Sequence, residues 1–269
     1  MTAQPRNPIR VVNRWPFIIL AAAAAAGLLF PQVVGQAANL VGYAVCHRIP
    51  ARSFILDGNQ LPLCARDTGM FLAALVTIGF YVAFDSRRVS LFPRFPQAFV
   101  LLALAAAWAF DGFNSYYLLA RNEMLFYMPN NLLRLITGAG MGVALGAFVV
   151  PLVNSSLWKM ELLDEVASVA NWRDVFVLLG LAALVTVVVG LQPDFLYGPL
   201  ALLSGLGAFG LLAVVSGLLV LQFRKQNNRF SDPRALWGPA AVGLFIAFNE
   251  VMAIVLLRQW LTVTYNLPF

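Results

Sequence analysis

The chain has 269 residues, of which 61% are hydrophobic and 11% charged. A soluble domain averages roughly 25% charged residues, so there is too little polar surface here to cover a water-soluble globule, and an integral membrane protein is the class that fits. The net charge of +6 does not point to nucleic acid, because Lys and Arg sit in short clusters between apolar runs and no basic face is interleaved with aromatic residues.

Seven apolar runs follow one another, over residues 16–45, 68–84, 97–119, 131–153, 174–192, 196–223 and 236–262. About 20 residues of helix cover 30 Å of hydrocarbon, so each run is read as a span and the fold class is an all-α polytopic bundle of seven transmembrane helices. The long first run carries Pro31, which predicts a kink or tilt. Its basic start and alanine core also suit a signal peptide. The apolar stretch continues to Val45 with helically spaced polar residues, so an uncleaved helix is expected.

Counting cations sets an expected orientation. Arg6, Arg10 and Arg14 precede the first span; Arg87, Arg88 and Arg94 follow the second; Lys159 and Arg173 follow the fourth; Arg224, Lys225, Arg229 and Arg234 follow the sixth. The other side holds Arg48, Arg52, Arg66, Arg121, Arg134 and Arg258. The richer side is placed in the cytoplasm, with the N-terminus in and the C-terminus out, in a prokaryotic inner or plasma membrane. The domain reading is a cytoplasmic tail at 1–15 and a four-helix region at 16–155 with an extracytoplasmic loop at 46–67. An amphipathic connector at 156–173 and a three-helix extension at 174–269 complete it.

Taken along the chain, Gln32, Gln36, Asn39 and Tyr43 recur every three or four residues and form a polar stripe on the first helix. Interhelical hydrogen bonding accounts for such a stripe, and a hydrated groove is the alternative. The stripe leads into a loop that holds both cysteines, Cys46 and Cys64, and the one histidine, His47. With Asp67 these make four potential ligands for zinc or another divalent metal. In an oxidising compartment two cysteines also pair. A Cys46–Cys64 disulfide closing a loop of about 18 residues would contribute about 3 kcal/mol, and the residues alone favour it over the metal.

Further on, Asp111, Asn114 and Ser115 lie in the outer half of the third span, and Asn130, Asn131, Arg134 and Thr137 open the fourth. A carboxylate in hydrocarbon needs a partner, and an Asp111–Arg134 pair is expected. Gly138, Gly142 and Gly146 make a repeated GxxxG that packs either within the chain or against another subunit. Residues 156–169 read as a short amphipathic helix with Trp158, Leu162, Val166 and Val169 on one face; it serves as an interfacial connector or as a docking surface. Glu250, beside Asn249, sits mid-way along the seventh span, protonated, paired or on an ion route. No phosphate-binding glycine-lysine loop, GxSxG or CxxCH is present, and a single histidine excludes HExxH. Enzymatic activity is therefore the minority expectation.

The stretch CHRIPARSFILDGNQLPLCARDTG resembles the signature of the prokaryotic "domain of unknown function 2085" family of predicted membrane proteins. The matching residues are Cys46, His47, Arg52, Ser53, Phe54, Gln60, Pro62, Cys64, Arg66 and Gly69, and similarity continues through Asp111-Gly112 and Asn131, Arg134, Thr137 and Gly138. The resemblance covers about residues 40–150 and implies that these scattered residues belong to one site, with the last three spans an addition. Where the family pattern has a third cysteine this chain has Asp67, so an implied Cys-His-Cys-Cys metal set becomes Cys-His-Cys-Asp or has decayed to a disulfide and a structural loop. The leading functional expectation is a non-catalytic accessory or scaffold subunit among other membrane proteins and lipid, as in respiratory or photosynthetic electron transfer. Metal binding or transport through the Cys/His/Asp loop, with Asp111 and Glu250 along the path, is the alternative, and an intramembrane enzyme the third.

Overall fold

The computed structural model describes residues 13–84 and 88–265. Arg6, Arg10 and Arg87 of the charge balance, and residues 1–12 of the tail, lie outside them. The protein is an all-α, multi-pass membrane bundle. Its helices are α1 (Trp15–Leu29), α2 (Pro31–Val45), α3 (Ala65–Phe84), α4 (Gln97–Arg121), α5 (Asn131–Leu157), α6 (Trp172–Gly190), α7 (Tyr197–Phe223) and α8 (Trp237–Tyr265). Those from α3 to α8 are each long and apolar enough to cross a membrane.

The first apolar run is sharply broken. α1 and α2 meet at 113°, where Phe30 leaves helical geometry at φ −131° and ψ 53°. Pro31 is the cause: its ring disfavours helical backbone at the preceding residue and it brings no N–H. α1 starts at the C-terminal end of α3, with the Asn13 N–H on the Ala83 carbonyl at 2.9 Å and Phe17 edge-on to Phe84. It ends against the N-terminus of α7, where Gly27 meets Gly198 and Pro199. α2 then runs along α7 to finish beside Cys64, at the start of α3. The pair therefore begins at one end of α3 and finishes at the other, which is one net traverse. Among the described residues there are thus six helices long and apolar enough to cross a membrane, or seven spans if the bent pair counts as one.

α3 and α5 form the centre. Gly138, Gly142 and Gly146 face α3, and a Cβ on Gly138 would stand 2.0 Å from the Arg66 carbonyl oxygen and one on Gly142 2.2 Å from that of Met70. The glycine repeat is thus an intrachain seam that lets two backbones touch. α4 packs on the rim with Phe99, Phe110 and Phe113 exposed, as suits a lipid-facing helix. α7 and α8 cover α1 and α2.

Two connections differ from expectation. The helix expected over 156–169 does not form. α5 continues to Leu157, and the segment then gives a 3-10 turn at Met160–Leu162 and a strand Asp164–Ala167. This strand pairs in parallel with Val89–Leu91. The competing contacts are tertiary: Lys159 donates its N–H to the Phe230 carbonyl at 3.0 Å, Arg88 stacks on Trp158, and the Asp164 carboxylate accepts the Arg88 N–H at 2.9 Å. These partners outweigh a weak local helical preference. At the other end of the bundle the loop contains a small hairpin, β1 (Ile55–Leu56) against β2 (Asn59–Gln60). Its two-residue turn is Asp57-Gly58, both at positive φ (49° and 69°), which is the backbone such a turn requires.

Candidate functional site

The loop between α2 and α3 is held from several sides. The Cys46 N–H closes the end of α2 on the Gly42 carbonyl at 2.9 Å. Arg258 of α8 caps the same helix end, donating to the carbonyls of Tyr43 and Cys46 and stacking on the Tyr43 ring. Within the loop Gln60 donates to the Arg48 carbonyl at 2.9 Å and to Ser53 Oγ at 3.0 Å. Phe54, Leu56, Leu61 and Leu63 are buried beneath it. The loop is a packed element, not a tether.

This packing brings Cys46, Cys64 and Asp67 together. Their ligand atoms all lie within 4.8 Å of one another. Cys46 is buried, Cys64 half-buried, and Asp67 sits half-buried in the first turn of α3. The Cys64 N–H points at Cys46 Sγ at 3.3 Å. The sulfurs lie within 4.8 Å of each other with no S–S bond formed: accepting a hydrogen bond from Cys64 lowers the Cys46 thiol below its ordinary value, and donating it, with burial, raises that of Cys64. His47 is exposed and is not part of this cluster, although it lines the same cleft.

The cleft encloses about 300 Å³. Four arginines line it, Arg48, Arg52, Arg66 and Arg134, with Asp67, and Val45, Ile49, Tyr116 and Leu119 form an apolar border. A larger hollow of about 520 Å³ beside the hairpin, between Phe54, Asn131 and Gln192, is lined by no titratable side chain among the described residues, whereas the cleft gathers several.

Asp111 does not pair with Arg134. It is 1% exposed and bound to Arg66, whose Nε donates to Oδ2 at 3.0 Å and whose Nη2 donates to the same oxygen. Arg66 also reaches Ser115 Oγ at 3.0 Å, and the Tyr127 hydroxyl donates to Asp111 Oδ1 at 2.6 Å. Burial and that hydrogen bond push the Tyr127 phenol up to about 12. Arg66 wins because it stands one residue from Asp67 on the α3 face turned to α4, whereas Arg134 turns to Asn131 at 2.8 Å. Asn131 in turn donates to the Ser53 carbonyl at 3.3 Å.

Asn114 serves a different purpose. It accepts the Phe126 N–H and donates to the Tyr127 carbonyl, at 3.1 and 2.9 Å, pinning the α4–α5 connection to α4. Glu250 lies apart, accepting from Ser216 of α7 at 3.1 Å, and Asn249 bonds its own helix at Phe245. Of the polar stripe, Gln32 and Gln36 are exposed, while Asn39 accepts from Arg48 at 3.0 Å. Sequence reasoning missed Tyr127 and Arg258 as contributors. Neither carries a local signal, since each acts across a loop or from a distant helix.

A protein of Methanothermobacter thermautotrophicus (strain Delta H), described as uncharacterized, is 37% identical over 105 residues, covering 37% of this chain and 81% of the relative. Residues 46–148 match the family described as predicted membrane protein DUF2085. The chain belongs to the DUF2085 family. No solved structure matches it. The DUF2085 match begins at Cys46 and ends within α5, so it contains the loop, the cleft's arginines and Asp111. α1, α2 and α6 to α8 lie outside it. Several DUF2085 positions have packing roles: Gly69 lies against the Leu135 carbonyl and Gly138 against that of Arg66, while Gln60 braces the loop from within.

Proposed function

We propose that this protein binds a thiophilic divalent cation such as zinc through Cys46, Cys64 and Asp67, on the extracytoplasmic side of the membrane. The observation that carries the reading is the convergence of those three donor atoms within 4.8 Å. Tetrahedral zinc with bonds of about 2.0–2.3 Å holds its ligands about 3.5 Å apart, so a contraction of roughly 1 Å would close the set. Two thiolates and one carboxylate leave a fourth position for water or for His47, which lines the same cleft. The cation excess at the opposite end of the bundle supports the outward orientation of the loop, with the bent α1–α2 pair taken as one span.

The accessory-subunit reading has lost two of its grounds. The glycine repeat packs on α3, and the acidic connector is engaged by Arg88 and strand pairing. A Cys46–Cys64 disulfide is the competing reading, favoured by the same proximity of the sulfurs.

Elemental analysis of protein purified without chelator, paired with thiol counting, tests the proposal. About one metal per chain is expected, lost in Cys64→Ser. Metal-free protein without titratable thiols would replace the metal site with the disulfide.

A further inference from the structure

The arginines of the cleft outnumber its acids. Arg48, Arg52, Arg66 and Arg134 line it, against the carboxylates of Asp67 and of Asp111 behind Arg66. Four cations against two carboxylates leave two positive charges uncompensated. The count does not depend on the cysteines, because two thiols, a disulfide and a zinc dithiolate all carry the same net charge of zero.

Two of these guanidinium groups are also short of hydrogen-bond partners. Arg134 is 6% exposed. One of its terminal nitrogens donates to Asn131, and its buried Nε has no partner among the described residues. The Nε of Arg48 is likewise buried without one. A buried guanidinium that lacks an anion is costly, and while Arg66 has Asp111, buried Arg134 and half-buried Arg48 and Arg52 share the cleft with Asp67 alone. Gly112 adds to the picture. It lines the cleft without a side chain, and the nearest atom to a Cβ placed there would be Arg66 Nη1 at 3.5 Å. A larger residue would stand over that guanidinium.

We propose that the cleft binds a phosphate group, held between Arg134, Arg48 and the open face of Arg66. Planar guanidinium forks match the oxygens of phosphate, which takes paired N–H donors and supplies one to two negative charges. The border of the cleft indicates the source. Val45, Tyr116 and Leu119 are exposed apolar or amphipathic side chains on the membrane-facing surfaces of α2 and α4. A phosphodiester bearing acyl chains meets both requirements, its headgroup on the arginines and its chains along α4. An anionic phospholipid is therefore favoured over free phosphate. The proposal stands apart from the metal reading.

The experiment uses the full chain purified in mild detergent. Native mass spectrometry measures retention of phosphatidylglycerol against phosphatidylcholine, and thermal unfolding is followed with and without inorganic phosphate. Wild type retains phosphatidylglycerol preferentially, and Arg134→Gln and Arg48→Gln each lower that retention at least tenfold. Arg134→Lys, which keeps the charge, recovers part of it and guards against a folding defect. A phosphate-induced rise in melting temperature that needs the same arginines, without lipid preference, upholds the site and names free phosphate as its occupant. Equal retention of the two lipids together with no response to phosphate overturns it, as does wild-type behaviour in both glutamine variants. Excess chelator is added alongside: it strips any cation held by the cysteines and leaves phosphatidylglycerol retention intact, so the two proposals fail separately.

Discussion

Arg66 of α3 and Asp111 of α4 form an ion pair inside the bundle, two guanidinium nitrogens meeting one carboxylate oxygen, with the carboxylate 1% exposed and its other oxygen closed off by the Tyr127 hydroxyl. The pair joins the loop that carries the cysteines to the helix that walls the cleft. Removing either partner leaves a buried charge without compensation. Asp111→Asn and Arg66→Met are each expected to cost about 3–5 kcal/mol. The Arg66→Met/Asp111→Leu double variant should be markedly less destabilised than the sum of the singles. Thermal unfolding in detergent decides the point, and strictly additive losses would remove the coupling.

The α3–α5 seam depends on the absence of side chains. Gly138→Ala places a Cβ 2.0 Å from the Arg66 carbonyl oxygen, an atom that cannot step aside. Overpacking of this kind costs about 1–3 kcal/mol, and more where backbone must shift. Gly180→Ala in α6 meets nothing within 4 Å and should be neutral or slightly stabilising. A shared effect of the two substitutions would show that helix propensity, not contact, governs both.

Tyr127 gives a dependence on pH. Its phenol is raised from the ordinary 10.0 to about 12, so the folded state favours the protonated form. Its contribution is complete below about pH 10 and is lost as pH rises toward about 12. Melting temperature should fall more steeply across that window in wild type than in Tyr127→Phe. Parallel curves would mean the hydroxyl is not held by Asp111.

If a cation bridges Cys46, Cys64 and Asp67, chelation should destabilise the loop in wild type alone. Excess chelator is expected to lower the melting temperature of the native protein and to leave Cys64→Ser unchanged. Identical responses would place any chelator effect elsewhere.

The spans were legible because apolar length is a local property: the runs ending at Phe84 and Phe223 match their helices at those ends. Partner choice was not. Asp111, Arg66 and Arg134 were all visible as charges, but the rotation of each helix about its axis decides which pair meets, and a single sequence does not encode that phase in any short window. Pro31 signalled a break without its size, since the 113° turn depends on Gly27 and Gly198 allowing α7 to enter the elbow. The hairpin went unread although Asp57-Gly58 is a strong turn pair, because its flanking strands are only two residues long. The connector misled because amphipathic spacing was counted without the strand and the aromatic stack that compete for it. Cys46, Cys64 and Asp67 could be grouped from their residue types; that His47 lies outside their 4.8 Å set, exposed at the cleft, could not, because it follows from Cys46 ending α2.

Arg258 ties the final helix to the backbone carbonyls of Tyr43 and Cys46, so the segment that matches the family, residues 46–148, borrows its first residue's anchorage from chain that is synthesised last. During translation the cysteine hairpin must wait, its helix end bare, until more than 200 further residues have emerged. The end of α2 is therefore completed only by the last helix, and a chain cut short of α8 is expected to insert into the bilayer with that end unlatched.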